Sequence, residues 1–270
     1  MASRVARAMV VTTASAGLLA APALSALAIS PAVAAATSAT GAGAAKTIHP
    51  GGEVNFGDIS CEIGAVMRQG ATVYLAVPAS CGGIDLGKVQ DGCVEPVSPG
   101  GVPASIGGAI YRGTLVYNSF TEMQKTGVRS PDRCYFNDLA LIRVDRRDRT
   151  RVTATIPDTS GPRMVSTSMP ASGTALRFGS ASGSAGGTHN AGWATDVTST
   201  AMLKTADAGA PVTVADKLVG MLTVLPAGPI PDVPLFQTPG QVYSLAKAIK
   251  LLREVPRFRH IRLVRAGQRV

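Results

Sequence analysis

The chain offers few side chains suited to nucleophilic or acid–base chemistry. Its three histidines are His49, His189 and His260. Around His189, the glycine- and serine-rich segment SASGSAGGTHNAG (180–192) also carries Ser180, Ser182 and Ser184. A serine hydroxyl beside an imidazole can act as a nucleophile in acyl transfer. The segment supplies no acid to orient the ring, so we expect a solvated loop histidine and keep a displaced Ser-His pair as the alternative.

Cysteine spacing indicates disulfides rather than a metal centre. The four cysteines are Cys61, Cys81, Cys93 and Cys134. Their spacing matches no zinc pattern, because no Cys-x-x-Cys or histidine pair accompanies them. An even number in an exported chain predicts two disulfides, with three connectivities open. No glycine-rich loop at a strand-to-helix junction would cradle a phosphate. We therefore expect no metal and no cofactor.

The start of the chain has the pattern of a secretory leader. Arg4 and Arg7 precede a weakly apolar stretch that ends in a small-residue AVA at 32–34, which predicts a signal peptide over 1–34 and a flexible lead-in over 35–47. An uncleaved membrane anchor is the alternative. The formal net charge is +9, and it includes these two arginines.

The remaining excess of positive charge lies at the other end, in five arginines over 255–270: Arg257, Arg259, Arg262, Arg265 and Arg269. Removing those five and the two in the leader leaves a net charge of +2, so the body of the protein is nearly neutral. We predict no specific nucleic-acid site. The basic segment is expected to be a solvated extension, with attachment to an anionic envelope surface as the alternative.

Composition and hydrophobic patterning favour short strands. The chain is 46% hydrophobic, 16% charged and only 4% aromatic, with 30 glycines and 18 prolines. Apolar segments alternate with turn residues and no long helix separates them, which predicts an antiparallel barrel or sandwich. A helix is predicted only over 241–254, and 225–234 is a proline-rich loop. Strands are predicted over 61–68, 71–77, 113–119, 138–145, 151–156, 173–179 and 217–225.

Three segments together resemble the trypsin-like (chymotrypsin-fold) serine proteases, most closely their secreted actinobacterial members. They are VYLAVPASC (73–81), YFNDLALIRVD (135–145) and TADAGAPVTVADKLVGML (205–222). They occur in the order and approximate spacing of the three catalytic segments of that family, and the likeness covers about 48–254.

The resemblance implies two packed, antiparallel, six-stranded β-barrels over about 48–150 and 151–240, with a helix over 241–254 and a cleft between the barrels. In this family a serine attacks the carbonyl, a histidine takes its proton, an aspartate orients the histidine and backbone N–H groups hold the oxyanion. The resemblance also implies the disulfides Cys61–Cys81 and Cys93–Cys134.

Two of the three positions that match the catalytic triad carry residues that cannot act as the family's base and nucleophile. Ser80 stands where the family has the histidine, Asp138 matches the aspartate and Ala208 replaces the serine. Ala206 replaces the glycine that helps to form the oxyanion hole, and Met202 is placed at the floor of the specificity pocket. A serine hydroxyl does not accept a proton near neutral pH as imidazole does. We therefore expect no intact catalytic group.

These observations predict a secreted, catalytically inactive homologue of the serine proteases. Its cleft is expected to bind an extended peptide or protein ligand, because strand-like hydrogen bonding to a peptide does not need the triad. One alternative is an active endopeptidase with a non-standard catalytic site. Another is an envelope-associated structural protein that uses its basic C-terminal segment.

Overall fold

A computed structural model of the chain describes residues 47–82, 91–179, 181–224 and 240–270, without the side chain of Thr205. The predicted leader, nearly all of the lead-in and the proline-rich loop lie outside the described residues. Within them, the chain is built from two antiparallel sheets, three α-helices and short 3-10 turns.

The first sheet is an open, curved half-barrel with the strand order β15-β3-β4-β7-β6-β5-β1-β2. Its interior holds one face of the central strands, including Val73, Leu75 and Ile142. The opposite face, with Tyr74 and Leu141, is covered by the C-terminal part of the chain. Its strands are β1 (Glu53–Phe56), β2 (Ile59–Glu62), β3 (Ala65–Gln69), β4 (Thr72–Val77), β5 (Pro103–Ile106), β6 (Gly113–Asn118), β7 (Ala140–Arg143) and β15 (Arg262–Leu263).

The second sheet closes into a six-stranded barrel in the order β12-β9-β10-β11-β14-β13, with β13 pairing back to β12 and β8 added in parallel beside β13. Its interior is filled by aliphatic side chains such as Leu176, Val212 and Leu222. Its strands are β8 (Met164–Val165), β9 (Ala175–Phe178), β10 (Ala181–His189), β11 (Ala194–Ser199), β12 (Pro211–Val214), β13 (Lys217–Val224) and β14 (Gly240–Ser244).

The architecture confirms the predicted all-β class with the two-barrel arrangement. In detail, the first sheet stays open between its edge strands β2 and β15, whereas the second sheet is a closed ring. Among the described residues, no helix has both the length and the apolar content that a membrane crossing requires.

The C-terminal helix is shorter than the sequence predicts. Its helical stripe suggested residues 241–254, but Gly240–Ser244 form β14 and the helix α3 covers Leu245–Leu252. Val242 and Tyr243 prefer extended backbone, and β14 gains hydrogen-bonded neighbours on both sides, β11 and β13. Ser244 then caps α3 by accepting a hydrogen bond from the backbone N–H of Lys247.

The basic C-terminal segment is part of the fold, which corrects the expectation of a solvated extension. After the 3-10 turn Pro256–Phe258, β15 pairs with β3 through Arg262↔Arg68 and Leu263↔Met67. Phe258, Ile261 and Val264 are at most 3% exposed. Burial of these apolar side chains orders the segment, while the arginines between them remain exposed.

Two other local predictions were wrong. The segment 180–192 is not a loop, because Ala181–His189 form β10 between β9 and β11. Its glycines allow close approach, since a β-carbon on Gly183 would lie 2.3 Å from the carbonyl oxygen of Thr198. The predicted strand 151–156 forms only an isolated bridge from Val152 to Ile48, after the 3-10 helix Arg146–Arg151.

The sequence patterns also missed two helices, α1 (Ser119–Thr126) and α2 (Pro131–Phe136), which lie between β6 and β7. Asn118 caps α1 by accepting from the N–H groups of Phe120 and Thr121, and Gly127 ends it in a left-handed conformation.

Candidate functional site

Ser80 and Asp138 lie in direct contact, and the contact occupies both carboxylate oxygens. Ser80 belongs to the 3-10 turn Ala79–Gly82 that follows β4, and Asp138 comes just before β7. The backbone N–H of Ser80 donates to Oδ1 of Asp138 at 2.8 Å, and its hydroxyl donates to Oδ2 at 3.0 Å. From the second barrel, the hydroxyl of Thr223 on β13 also reaches Oδ2, at 3.5 Å. Asp138 thus joins the two barrels through polar contacts.

Burial dominates the electrostatics of Asp138, which is 5% exposed. Removal of the carboxylate from water raises its pKa, and the hydrogen bonds from Ser80, Ala79 and Thr223 oppose that rise without cancelling it. Burial, followed by the charge of Asp138, likewise raises the pKa of the nearby Tyr243. Burial at this site therefore disfavours the ionised form of both side chains.

Neighbouring side chains hold Asp138 and Ser80 in place. Asn118 donates from Nδ2 to the carbonyl of Ala79 at 2.9 Å, which ties α1 to the turn that carries Ser80. The hydroxyl of Ser119 donates to the carbonyl of Asn137 and accepts from the N–H of Leu139. Both residues that flank Asp138 are thereby fixed by one buried serine.

The loop that carries Ala208 packs against the first barrel beside this pair. Ala208 is 6% exposed and belongs to the same apolar cluster as Ala79 and Cys81, and its carbonyl accepts from the N–H of Glu62 at 2.8 Å. At the next residue, Gly209, φ is +98°, and an added β-carbon would lie 2.1 Å from the carbonyl oxygen of Glu62 and 2.9 Å from Cδ of Pro78. The structure thus brings Ala208 close to the turn of Ser80.

Ala206 and Asp207 form a regular turn before Ala208. Residues Thr205–Asp207 adopt a 3-10 turn in which Ala206 is exposed. Oδ2 of Asp207 accepts from the N–H of Lys204 at 2.7 Å, and its carbonyl accepts from the N–H of Ala210 at 3.0 Å. Asp207 therefore stabilises the loop through contacts that need no hydroxyl at position 208.

Met202 lies at the surface among the described residues. It is 66% exposed, whereas the adjacent Leu203 is buried in the second barrel. The segment 225–239 that follows β13 is outside the described residues, so the assignment of Met202 to a pocket floor stays a prediction.

Among the described residues, none of the three histidines donates a hydrogen bond to Asp138. His49 contacts the carbonyl of its neighbour Pro50, and His260 is exposed in the C-terminal segment. Both ring nitrogens of His189 are engaged, Nε2 with Asp196 at 3.2 Å and Nδ1 with Asn190 at 2.6 Å.

The structure supplies an acid beside His189 that the sequence pattern did not reveal, but it brings no described serine to the ring. Ser182 and Ser184 lie at least five residues away along the extended strand β10, which corresponds to roughly 16 Å.

Cysteine pairing follows the connectivity that the resemblance implies. Cys61–Cys81 joins β2 to the turn of Ser80, and Cys93–Cys134 ties α2 to the segment before β5.

One described group of metal-ligating residue types has its atoms close together, namely Asp91 with Cys93 and Cys134. Both sulfurs are committed to the disulfide, so neither is a thiolate ligand.

Glu62 is a residue of the site that the sequence analysis missed. Its Oε2 is buried and has no hydrogen-bond partner among the described residues. Burial, with a further contribution from the charge of Asp207, raises its pKa to about 7. A charged residue between Cys61 and the apolar run IGAV was the available signal, because a carboxylate seldom occurs in such a run without a specific environment.

Comparison with solved structures identifies the fold. Protease A of Thermobifida fusca is 15% identical and superposes with a TM-score of 0.52, covering 82% of this chain and 99% of its own. A chymotrypsin of Cellulomonas bogoriensis is 14% identical with a TM-score of 0.49, covering 80% of this chain and 98% of its own. A glutamic acid-specific serine protease is 15% identical with a TM-score of 0.49, covering 76% of this chain and 97% of its own. No family model and no curated protein matches the chain. The similarity to Protease A establishes the chymotrypsin-like fold and nothing finer.

Proposed function

We propose that the protein is an exported, catalytically inactive relative of the chymotrypsin-like serine proteases that binds an extended peptide or protein segment in the cleft between its barrels. The contact between Ser80 and Asp138 carries the proposal. The carboxylate that would orient a histidine is occupied by a serine hydroxyl and a backbone N–H. No group at this position accepts a proton from a nucleophile near neutral pH.

The loop around Ala208 supports the same conclusion. A buried methyl group stands at the position of the nucleophile, and the loop is held by backbone contacts to Glu62 and Leu222. Removal of one member of a catalytic triad leaves only a small part of the rate enhancement. Here two members are replaced together while the surrounding fold is retained, a combination that preserves a binding cleft without acyl transfer.

Both disulfides support export, because such bonds persist in oxidising compartments outside the cytosol. The predicted leader over 1–34 agrees with this location.

Labelling with a fluorophosphonate probe tests the proposal. The purified protein should not be labelled, whereas the variant Ser80→His/Ala206→Gly/Ala208→Ser should gain detectable labelling and peptidase activity, because Asp138 is already in place to orient an imidazole. Stoichiometric labelling of the unaltered protein would contradict the proposal.

The matched control adds Asp138→Asn to the triple variant. It should lose most of the gained activity, since the amide no longer stabilises the protonated histidine.

Binding is tested separately by selection from a peptide library. Ala206→Arg, which places a long side chain on the loop beside the cleft, should reduce binding of the selected peptides. Ala171→Arg, at an exposed position elsewhere on the second barrel, should leave binding of these peptides unchanged. An equal loss of binding in both variants would argue against the cleft as the binding site.

A second candidate function, attachment to an anionic envelope surface, is favoured by the order of the C-terminal segment. Arginines on an ordered segment present a fixed positive surface, and all five side chains are exposed. Substitution of these five residues by glutamine should abolish co-sedimentation with negatively charged lipid vesicles. Deletion of 255–270 is unsuitable, because it removes the buried Phe258, Ile261 and Val264. Unchanged co-sedimentation would exclude this role.

A further inference from the structure

A cavity of about 430 Å³ lies at one end of the central strands of the first sheet, far in sequence from the basic C-terminal segment. It is formed where β4 and β6 begin and β7 ends, together with the 3-10 helix Arg146–Arg151. The cavity brings together four arginines, and we refer to it as the arginine cavity: Arg112, Arg143, Arg146 and Arg149. Three of the four belong to the run RVDRRDRTR (143–151), which the sequence analysis did not single out.

The positive charge of the arginine cavity is not neutralised by its own lining. Asp145 is the one carboxylate among the lining residues, all of which belong to the described part of the chain. Both of its oxygens already accept from Arg147, each at 2.9 Å. These hydrogen bonds hold the pKa of Asp145 well below its usual range. The four cavity arginines therefore lack a carboxylate partner within the described residues.

The framework around the arginine cavity is fixed by buried contacts. Asp148 is fully buried, and its carboxylate accepts from the N–H groups of Ile110 and Tyr111, the latter at 2.7 Å. The guanidinium of Arg147 stacks 3.3 Å above the ring of Tyr111. These contacts hold the loop that ends at Arg112 against the 3-10 helix. The backbone that carries the arginines is thus ordered before any ligand arrives, which reduces the entropy cost of binding.

One guanidinium group has an unused buried donor. Nε of Arg149 is buried and has no hydrogen-bond partner among the described residues. A buried donor without an acceptor costs free energy, and like charges around one cavity repel each other. A bound anion would reduce the repulsion by bringing negative charge between the guanidinium groups. Thr72 and Thr114 add hydroxyl groups to the same lining.

We propose that the arginine cavity binds a small compound with two or more linked phosphate groups. Guanidinium groups pair with phosphate oxygens through two parallel hydrogen bonds, and four of them match several phosphate oxygens better than one carboxylate. The volume suits a small molecule. The linked phosphates are recognised whether they are free or carried on a nucleoside. This site is independent of the cleft and of the peptide ligand proposed for it.

Calorimetric titration of the purified full chain at about 150 mM salt, where surface attraction is screened, tests the proposal. Tripolyphosphate and pyrophosphate should bind more tightly than orthophosphate or sulfate. The double variant Arg112→Gln/Arg143→Gln should weaken tripolyphosphate at least about tenfold, since each side chain supplies charge-assisted hydrogen bonds. Both side chains are exposed, so the substitutions should leave the fold intact.

The control Lys125→Gln/Arg129→Gln removes the same charge from exposed side chains in and just after α1 and should change the affinity less than about threefold. A nucleoside triphosphate that binds more tightly than tripolyphosphate would identify a nucleotide as the source, and equal affinities would identify the phosphate chain alone. Equal loss in both double variants, or tripolyphosphate binding no tighter than orthophosphate, would overturn the proposal.

Discussion

At the scale of single residues, Ser80, Asp138 and the loop of Ala208 lie together and are held by backbone and side-chain contacts. Asp138, Asp207 and Gly209 keep structural contacts that do not depend on catalysis. Through the resemblance, the segments VPASC and TADAGAPV predict that Ser80 and Ala208 occupy the positions of base and nucleophile, and this assignment stays a prediction. Glu62 and Thr223 were not predicted, because their importance arises only when the two barrels come together.

The buried carboxylate of Glu62 makes stability depend on pH. Its pKa is raised from 4.5 to about 7, so the folded state holds a proton that the unfolded state releases, and this contribution is lost as pH rises towards 7. Glu62→Gln should therefore increase the free energy of unfolding near pH 8 by up to about 3 kcal/mol and have little effect near pH 4. Urea denaturation at several pH values measures this.

The control is Asp58→Asn, at an exposed position in the turn of the same hairpin. It should leave the pH dependence of unfolding close to that of the unaltered protein. A Glu62→Gln variant with the same stability difference at both pH extremes would show that the residue does not titrate as described.

At the scale of elements, sequence patterns located most strands. They failed where a segment has a composition untypical of strands but is ordered as one by pairing with its neighbours. Segments rich in Val and Leu predicted both ends of β4, β6, β9 and β13 to within two residues. The glycine- and serine-rich β10 has weak strand preference, and it is ordered by pairing on both sides. The arginine-rich segment before β15 has a high charge density that obscured its buried apolar residues.

Phe258 should contribute strongly to stability because it fills the space under the C-terminal segment. Its ring meets Tyr74 and Tyr117 edge to face, with centroids 5.8 Å and 5.5 Å apart. Phe258→Ala should lower the free energy of unfolding by about 3–4 kcal/mol. The exposed neighbour Arg259→Ala should change it by less than about 0.5 kcal/mol. A negligible effect of Phe258→Ala in chemical denaturation would mean that the segment does not pack on the sheet in solution.

At the scale of the whole molecule, the two barrels meet where the backbone of one loop touches the other sheet. Gly209 of the second barrel lies against Glu62 and Pro78 of the first, with no room for a β-carbon. Alternation predicted an antiparallel barrel or sandwich, and the division into two barrels was implied by the resemblance alone. The contact between barrels was not predictable without the resemblance, because it depends on backbone atoms rather than on side-chain type.

Gly209→Ala should therefore separate the barrels. Gly57, in the turn between β1 and β2, has a similar positive φ of +61° but nothing within 4 Å of an added β-carbon. Gly57→Ala should cost about 1 kcal/mol of stability from backbone strain alone. Gly209→Ala should cost at least about 3 kcal/mol more or prevent folding, because the clash is with backbone and cannot relax easily. Equal losses of stability in the two variants would show that the barrels tolerate the added methyl group.

The pairing of β15 with β3 has a consequence for how the chain acquires its structure. Leu263 lies beside Met67, so the first sheet is completed by residues that follow the whole second barrel in the chain. The second barrel, which comes between them in sequence, can close while the first sheet still exposes the edge of β3. Contacts between such distant parts of a chain slow folding, because a long loop must close before they form. The amino-terminal half can therefore reach its final state only after β15 has been synthesised and can pair with β3.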